Sequence, residues 1–382
     1  MSGRIRLGMV GGGQGAFIGA VHRIAARLDD QYELVAGSFS SDPDRARASA
    51  SALHVAPDRA YGSWQAMAAA EAGRPDGVEV VSVVTPNHLH ADPAIAFLNA
   101  GIHVICDKPL CHTLDAAREL ERAAKASRAL FALTHNYTGY PLVRQARTMV
   151  AEGAIGTVRI VQVEYPQDWL TTSLESTGQK QAAWRTDPAR SGAAGSVGDI
   201  GTHAFNLAEF VTGQRVGSLA ADLAAFVPGR RLDDNAHMLL RFDGGARGML
   251  WCSQVAPGNE NALRLRVYGE FGGLEWAQEQ PNLLVHTPFA EAPRMIRRGG
   301  AGASFIAAQA SRIPAGHPEG YLEAFAQLYR DFADQIVAVR EGRPPDPMSR
   351  LVPGIEEGMR GMRFIEAAVS SGQAGAGWVS LG

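Results

Sequence analysis

Hydrophobic positions in the first third of the chain come as short unbroken runs, not as alternation. Residues 5–10 and 33–39 are largely apolar, residues 78–84 form a valine-rich run, and residues 103–106 form a fourth. Runs of this length predict strands covered on both faces, as in a parallel sheet. Between them, apolar spacing predicts helices at 16–28, 43–53 and 92–100. Asp42 before Pro43 supplies an N-cap and a first-turn proline for the second helix, and Gly101 closes the third.

From about His135 the pattern changes. Strands predicted at 158–165, 218–226, 236–242, 247–254 and 263–268 follow one another with few helices between, which predicts a mostly antiparallel sheet. Helices at 142–152 and 203–211 are expected to cover one apolar face of it and a second subunit the other. Two further helices, 321–340 and 355–370, close the chain, and Gly299-Gly-Ala-Gly-Ala303 reads as a mobile surface loop. The expected fold is α/β, with a dinucleotide-binding domain over residues 1–135. An α+β domain over 136–382, built on an open, mostly antiparallel sheet, binds substrate and oligomerises, and its last helices are available to pack back on the first domain.

Composition removes other classes. A chain of 382 residues is long enough for about two domains with a core in each. The formal net charge of -3, with no long run of like charges, excludes nucleic acid as the expected partner. No stretch of about eighteen apolar residues predicts a membrane helix. Cys106, Cys111 and Cys252 are odd in number and fall in no CxxC pattern, and residues 1–10 lack the features of a secretory signal, so the expected location is cytoplasmic. His88 and His90 have no carboxylate or cysteine at ligand spacing, and no metal is expected.

Candidate chemistry sits where predicted strands end. The first strand runs into Gly11, Gly12, Gly13 and Gly15 before a helix, and glycine there lets backbone approach a pyrophosphate held by helix N-terminal amides. Gly11-x-Gly13-x-x-Ala16 matches the dinucleotide fingerprint ending in alanine, while Gly13-x-Gly15 followed by Gly19 suggests a turn lengthened by about three residues. Gln14, Phe17 and Ile18 lie in the same turn and are counted with the cofactor site. At the second strand's end, where a carboxylate confers NAD preference, stand Ser40, Ser41 and Arg45, which leaves NAD and NADP both open. Thr85-Pro86-Asn87, His90 and the pair Asp107 and Lys108 occupy the corresponding ends of later strands. In the second domain Asp199 and His203, four apart on a helix, share a face and point at one ligand. A histidine near a carboxylate is a proton acceptor close to neutral pH. A dinucleotide site, a lysine and such a pair suggest a dehydrogenase. Trp184 beside Arg185 offers an apolar ring face and a forked donor, which suits a polyol.

These residues resemble the Gfo/Idh/MocA family over essentially the whole chain. The resemblance rests on the glycine turn, on Thr85-Pro-Asn-His-Leu-His90, on Asp107-Lys-Pro109 where the family usually has Glu-Lys-Pro, and on Gly198-Asp-Ile-Gly-Thr-His203. Gln167-Asp168-Trp169, Ala183-Trp-Arg185 and Gly198-Asp199 look like the spacing in members that oxidise a ring hydroxyl of a sugar or cyclitol. The family implies an N-terminal Rossmann domain, a C-terminal domain that commonly forms homodimers or homotetramers, and a site between them. It implies Lys108 at the nicotinamide and the reacting hydroxyl, His203 as acid/base, and Asp199 orienting the histidine or binding substrate. Tyr137, Asp168, Trp169, Trp184 and Arg185 join His203 as implied substrate ligands, and the Lys108-Pro109 bond is often cis in relatives. Three departures stand out: Asp107 for glutamate, the lengthened glycine turn, and Thr138 after Asn136-Tyr137 where sugar enzymes often carry arginine. His317 reads either as a pocket residue or as a turn. Two other functions fit the resemblance: a glycoside hydrolase with tightly bound NAD, and a dinucleotide-binding sensor, although sensors typically lose the lysine or histidine kept here.

Overall fold

The valine-rich run becomes the centre of a parallel sheet. The computed structural model describes residues 3–382, which divide into two units. One runs through Asn136 and takes back Leu322–Met359, and the other holds Tyr137–Tyr321 and Arg360–Gly382.

The first unit contains β1 (Ile5–Gly11), α1 (Phe17–Leu28), β2 (Tyr32–Ser38), α2 (Pro43–Ala52), α3 (Trp64–Ala72), β3 (Val80–Val84), α4 (Ala91–Asn99), β4 (His103–Cys106), α5 (Leu114–Ala126) and β5 (Phe131–Leu133). Its strands pair in parallel in the order β2-β1-β3-β4-β5. All five residues of β3 are buried, as an apolar run in the middle of a covered sheet requires. The order reverses between β1 and β3, and ligands of such sheets bind at that reversal, beyond the carboxyl ends of the strands. Gly11 pairs with Val84 there, which sets the glycine turn beside Thr85. The returning segment is held by hydrogen bonds through Tyr329. Its hydroxyl lies 2.8 Å from His22 Nδ1 and 2.7 Å from Ser82 Oγ, and Tyr32 donates to its carbonyl at 2.8 Å.

The second unit continues through α6 (Pro141–Ala151), β6 (Val158–Pro166), α7 (Lys180–Arg185), α8 (Pro188–Ser191), a π-helical turn (Val197–Gly201) and α9 (Thr202–Thr212). Then come β7 (Val216–Ala224), β8 (Asn235–Phe242), β9 (Arg247–Ser253), β10 (Arg264–Gly269), β11 (Gly272–Ala277), β12 (Leu283–Pro288), β13 (Arg294–Arg297) and α10 (Phe305–Gln309). The chain ends with α11 (Tyr321–Glu341), α12 (Ile355–Gln373) and β14 (Val379–Ser380). The nine strands are ordered β13-β12-β11-β10-β6-β9-β8-β7-β14, and every neighbouring pair is antiparallel except β6 with β9. Alternation is clear in β8, where Ala236, Met238, Leu240 and Phe242 point inward and His237, Leu239 and Arg241 outward. Helices α6 and α9 pack on the inward face. On the outward face Ile160 stands opposite Tyr268 and Met249 opposite Leu239, all four exposed. Among the described residues no helix is long and apolar enough to cross a membrane.

Some local readings change. Strands β11 to β13 and helices α3 and α5 lie beyond those expected, and β11 begins with Gly272 and Gly273, which carry no apolar side chain to mark it. The single α-helical face expected to carry Asp199 and His203 is instead a π-helical turn holding Asp199, followed by α9 holding His203. The turn is anchored by Asp233, whose carboxylate accepts from Gly195 N at 2.7 Å, Ser196 Oγ at 2.7 Å and Val197 N at 2.9 Å. Gly201 lets it sit against β9, since a Cβ at that position would fall 3.1 Å from Cys252 Sγ.

Candidate active site

In the first unit the glycine turn follows from close approach. Gly11 and Gly12 have φ of +81° and +70°, and a Cβ on Gly19 would stand 2.3 Å from Gly12 Cα, so α1 packs directly on the turn. At Gly13 a Cβ would meet Phe39 O at 2.7 Å and Ser49 Oγ at 2.8 Å, and Gln14 N donates to that same serine oxygen at 3.1 Å. Helix α1 starts at Phe17 behind the N-cap Ala16, with no side-chain cap and no acidic residue in its first turn. By contrast α2, α3 and α5 are capped by Asp42, Ser63 and Thr113. Uncapped first-turn amides behind a glycine-rich turn fit a pyrophosphate. At the end of β2, Ser40 Oγ accepts from Asp42 N at 3.1 Å, and Asp42 Oδ1 accepts from Arg45 N at 2.8 Å, so this segment is committed to starting α2. Ser41 and Arg45 are exposed there.

Two further strand ends carry Thr85-Pro86-Asn87 and Asp107-Lys108, and the Lys108–Pro109 peptide bond is cis. His90, expected to line the cofactor pocket, is buried, with its ring nitrogens 2.9 Å from Pro109 O and 2.8 Å from Thr85 O. Its ring joins these two loops. Burial lowers its pKa. Asp107 points inward as well, accepting from Thr134 Oγ1 at 2.7 Å with His22 Nε2 at 3.8 Å. Burial alone would raise its carboxyl, but His22, Lys108 and Thr134 hold it well below the usual range. Burial and the Lys108 charge push His135 down to about 3, so this neighbour of the lysine is a neutral imidazole.

In the second unit the π-helical turn presents Asp199, a geometry frequent at functional sites. Its Oδ2 accepts from Arg185 Nε at 3.2 Å and from Gln254 Nε2 at 2.9 Å. The Arg185 guanidinium also lies 4.3 Å over the Trp184 ring and donates to Gln181, so one face of that tryptophan is taken by its own neighbour. His203, buried at the start of α9, meets Tyr137 edge to face at 4.8 Å and Tyr165 at 6.3 Å between ring centroids. Tyr165 donates to Asn261 Oδ1 at 2.7 Å, which makes Tyr137 the donor in the short contact between the two phenols. Asn261 Oδ1 also accepts from Gln167 Nε2 at 2.7 Å, and Gln167 Oε1 takes the Trp169 Nε1 proton at 3.1 Å. Burial pushes Tyr137 up to about 12, with the charge of Asp199 adding to it.

Asp199, His203, Tyr137 and Arg185 are thus gathered in one unit, joined by Trp169 through the amide chain. Asp168 is turned elsewhere, accepting from Gly258 N at 3.2 Å. Thr138 is fully buried with its carbonyl held by Arg144 Nε at 3.0 Å, and His317 lies in a turn whose carbonyl is held by Arg298. Gln254, Asn261 and Tyr165 were not among the expected site residues. Gln254 follows directly on the end of β9, the same kind of position that singled out Lys108.

Family comparison agrees with these two halves. The model described as "Oxidoreductase family, NAD-binding Rossmann fold" matches residues 5–135, and that of the GFO/IDH/MocA C-terminal domain matches residues 143–275. The crystal structure of an oxidoreductase from Sinorhizobium meliloti shares 56% sequence identity at a TM-score of 0.90, covering 99% of this chain and 100% of its own. An inositol dehydrogenase homolog from Azotobacter vinelandii, solved with NAD+ and with NADH and myo-inositol, is 38% and 37% identical at TM-scores of 0.94 and 0.91. Both of its structures cover 100% of this chain and 98% of their own. The uncharacterized oxidoreductase YfiI of Bacillus subtilis (strain 168) is 34% identical over 381 residues, 99% of this chain and 97% of its own. This chain therefore belongs to the Gfo/Idh/MocA family of oxidoreductases and carries an NAD-binding Rossmann domain.

Proposed function

We propose that this oxidoreductase transfers hydride between a nicotinamide and a ring hydroxyl, or the matching ketone, of a sugar, glycoside or cyclitol. The observation that carries the reading is the Asp199 carboxylate held by Arg185 and Gln254 on a π-helical turn that leads into His203. Carboxylate, guanidinium, amide and imidazole together offer a polyol both donors and acceptors. Bound NAD supplies the hydride acceptor.

The chain's own residues do the rest. His203 takes the proton from the reacting hydroxyl, and Lys108 steadies the oxygen as negative charge builds on it. Asp199 orients the substrate or the imidazole. Gly11, Gly13, Gln14 and Gly15, with the first turn from Ala16 to Ile18, would hold the pyrophosphate. Ser40, Ser41 and Arg45 would contact the adenosine ribose, and Thr85, Pro86 and Asn87 the nicotinamide part. Tyr137, Trp169 and Trp184 shape the ring pocket.

The test is absorbance in the reduced-nicotinamide band when the protein meets NAD and a panel of inositols, free hexoses and glycosides. The expected result is reduction with one substrate class. Cleavage of a glycoside without net NADH would replace this reading with a hydrolase, and tight NAD binding without turnover of any compound would replace it with a sensor.

A further inference from the structure

The second unit also contains a cavity of about 490 Å³, lined by none of the residues named above. Its walls are apolar at Phe226, Val227, Pro228 and Val255 and carry the hydroxyl residues Thr171, Thr172 and Ser173. The volume is in the range of small-molecule sites, about 300–1,000 Å³. It adjoins the polyol-binding residues through the backbone. Val255 follows Gln254, whose side chain holds Asp199, and Leu170 N donates to Gln254 O at 3.0 Å. Gln167 N donates to Ser253 O at 2.7 Å, and Ala256 N returns to Gln167 O at 2.9 Å.

The backbone of both parts of the lining is fixed by an ionic network around the buried Arg230 side chain. The Arg230 side chain, 1% exposed, forks onto the Glu175 carboxylate with two bonds of 3.1 Å and donates to Asp234 Oδ2 at 3.1 Å. The same guanidinium donates to Leu170 O at 3.0 Å and Thr172 O at 3.3 Å, which ties down the hydroxyl wall. Asp234 accepts from Phe226 N at 2.9 Å and Val227 N at 3.1 Å, which ties down the aromatic wall. Burying charge costs free energy that only full hydrogen bonding offsets, and what such a network secures here is the geometry of two surface loops. Phe226, on this fixed backbone, is 66% exposed. A large exposed ring on a hydrogen-bonded loop, with hydroxyl residues and no charged side chain in the same lining, matches a neutral ligand with apolar ring faces and hydroxyl edges.

We propose that this cavity is a second ring-binding subsite, so that the substrate is a neutral glycoside. One ring is oxidised at Asp199 and His203, and the ring across the glycosidic oxygen lies against Phe226. This rests on the ring-hydroxyl reading above and deepens it.

The test uses the full chain saturated with NAD, with D-glucose and myo-inositol as one-ring probes and cellobiose and phenyl β-D-glucopyranoside as two-ring probes. Binding is read by calorimetry and turnover by nicotinamide absorbance. At least one two-ring probe is expected to bind about three- to tenfold more tightly than D-glucose. Phe226→Ala is expected to erase that ratio, and Phe226→Trp, which keeps a ring, to retain it. Equal binding of one- and two-ring probes, or a preference that survives Phe226→Ala, overturns the subsite while turnover of any probe leaves the dehydrogenase reading standing. A Phe226→Ala variant that changes only its oligomeric state makes the cavity an interface between copies and also overturns it. Neither binding nor turnover with all four probes overturns both readings.

Discussion

Arg185 donates from Nε to Asp199 Oδ2 across 3.2 Å while its guanidinium lies 4.3 Å over the ring of Trp184. One side chain therefore stacks, pairs with a carboxylate and, through a further donor, bonds Gln181. Only a planar fork does all three, and a lysine at this position would keep the charge but lose the geometry. The carboxylate is thereby directed by partners outside the helix that carries His203.

Substitution at Arg185 follows from this. Hydrogen bonds to charged groups contribute about 1.5–3 kcal/mol, so Arg185→Ala is expected to lower kcat/KM about ten- to a hundredfold and Arg185→Lys to recover only part of that. Steady-state kinetics on the best ring substrate checks it. Wild-type kcat/KM in both variants would remove Asp199 and its partner from the site.

The phenol pair gives an ordered prediction. Tyr165 accepts from Tyr137 and donates to Asn261, whereas Tyr137 gives one bond to Tyr165. Tyr165→Phe thus removes both the bond from Tyr137 and one of the two bonds to Asn261 Oδ1, and Tyr137→Phe only the first. Denaturant unfolding is expected to find Tyr165→Phe less stable than Tyr137→Phe by about 1 kcal/mol. The reverse order would refute the donor assignment.

Stability is expected to fall on mild acidification. Burial lowers His103 from 6.5 to about 4, with Nδ1 accepting from Leu130 N at 2.8 Å, and His135 is lowered to about 3. Both imidazoles are neutral when folded and take a proton near their ordinary value when unfolded. Below about pH 6.5 the unfolded chain therefore binds more protons, so stability present above that pH is lost as pH falls towards 4. The depressed Asp107 carboxyl acts in the same direction below about pH 4. Thermal unfolding across this window should show the decline, and His103→Asn, which keeps an acceptor for Leu130, should make it shallower. A transition temperature constant from pH 7 to 4 would contradict the assignment.

The outward face of the nine-stranded sheet carries exposed Ile160, Tyr268, Met249 and Leu239 on neighbouring strands. A contiguous apolar stripe on a sheet is an interaction surface, and a second copy of the chain, forming a dimer or tetramer, is the proposed occupant. Light scattering is expected to give an oligomer that Ile160→Lys with Met249→Lys dissociates to the monomer mass. A monomeric wild type would refute this.

Much of this molecule is visible in its residue order. Largely apolar runs marked four of the five parallel strands, glycines marked the turn after β1, and Asp42-Pro43 marked the start of α2 with the cap bond that is observed. What escaped depends on contacts distant in sequence. The π-helical turn at Asp199 is set by Asp233 and by packing on Cys252, and neither leaves a periodic signal near residue 199. Gln254 and Asn261 became visible only when strands carried them to Asp199 and Tyr165. His90, expected to line the cofactor pocket, has its ring nitrogens at the carbonyls of Pro109 and Thr85, contacts that no local pattern announces. Strand β11 was hidden by its two leading glycines, and α5 was passed over although Thr113, Leu114, Ala117 and Leu120 supplied a cap and an apolar stripe.

Lys108 and His203 are proposed to act on the reacting hydroxyl and not merely on cofactor binding. The most direct measurement is kcat at saturating NAD for Lys108→Ala and His203→Ala on the best ring substrate, with the dissociation constant for NAD determined on the same preparations. Loss of general acid/base or oxygen stabilisation is expected to lower kcat about 10²–10⁴-fold in each variant while NAD affinity stays within a few fold. Wild-type kcat in either variant, or a loss explained entirely by weakened NAD binding, would contradict the account.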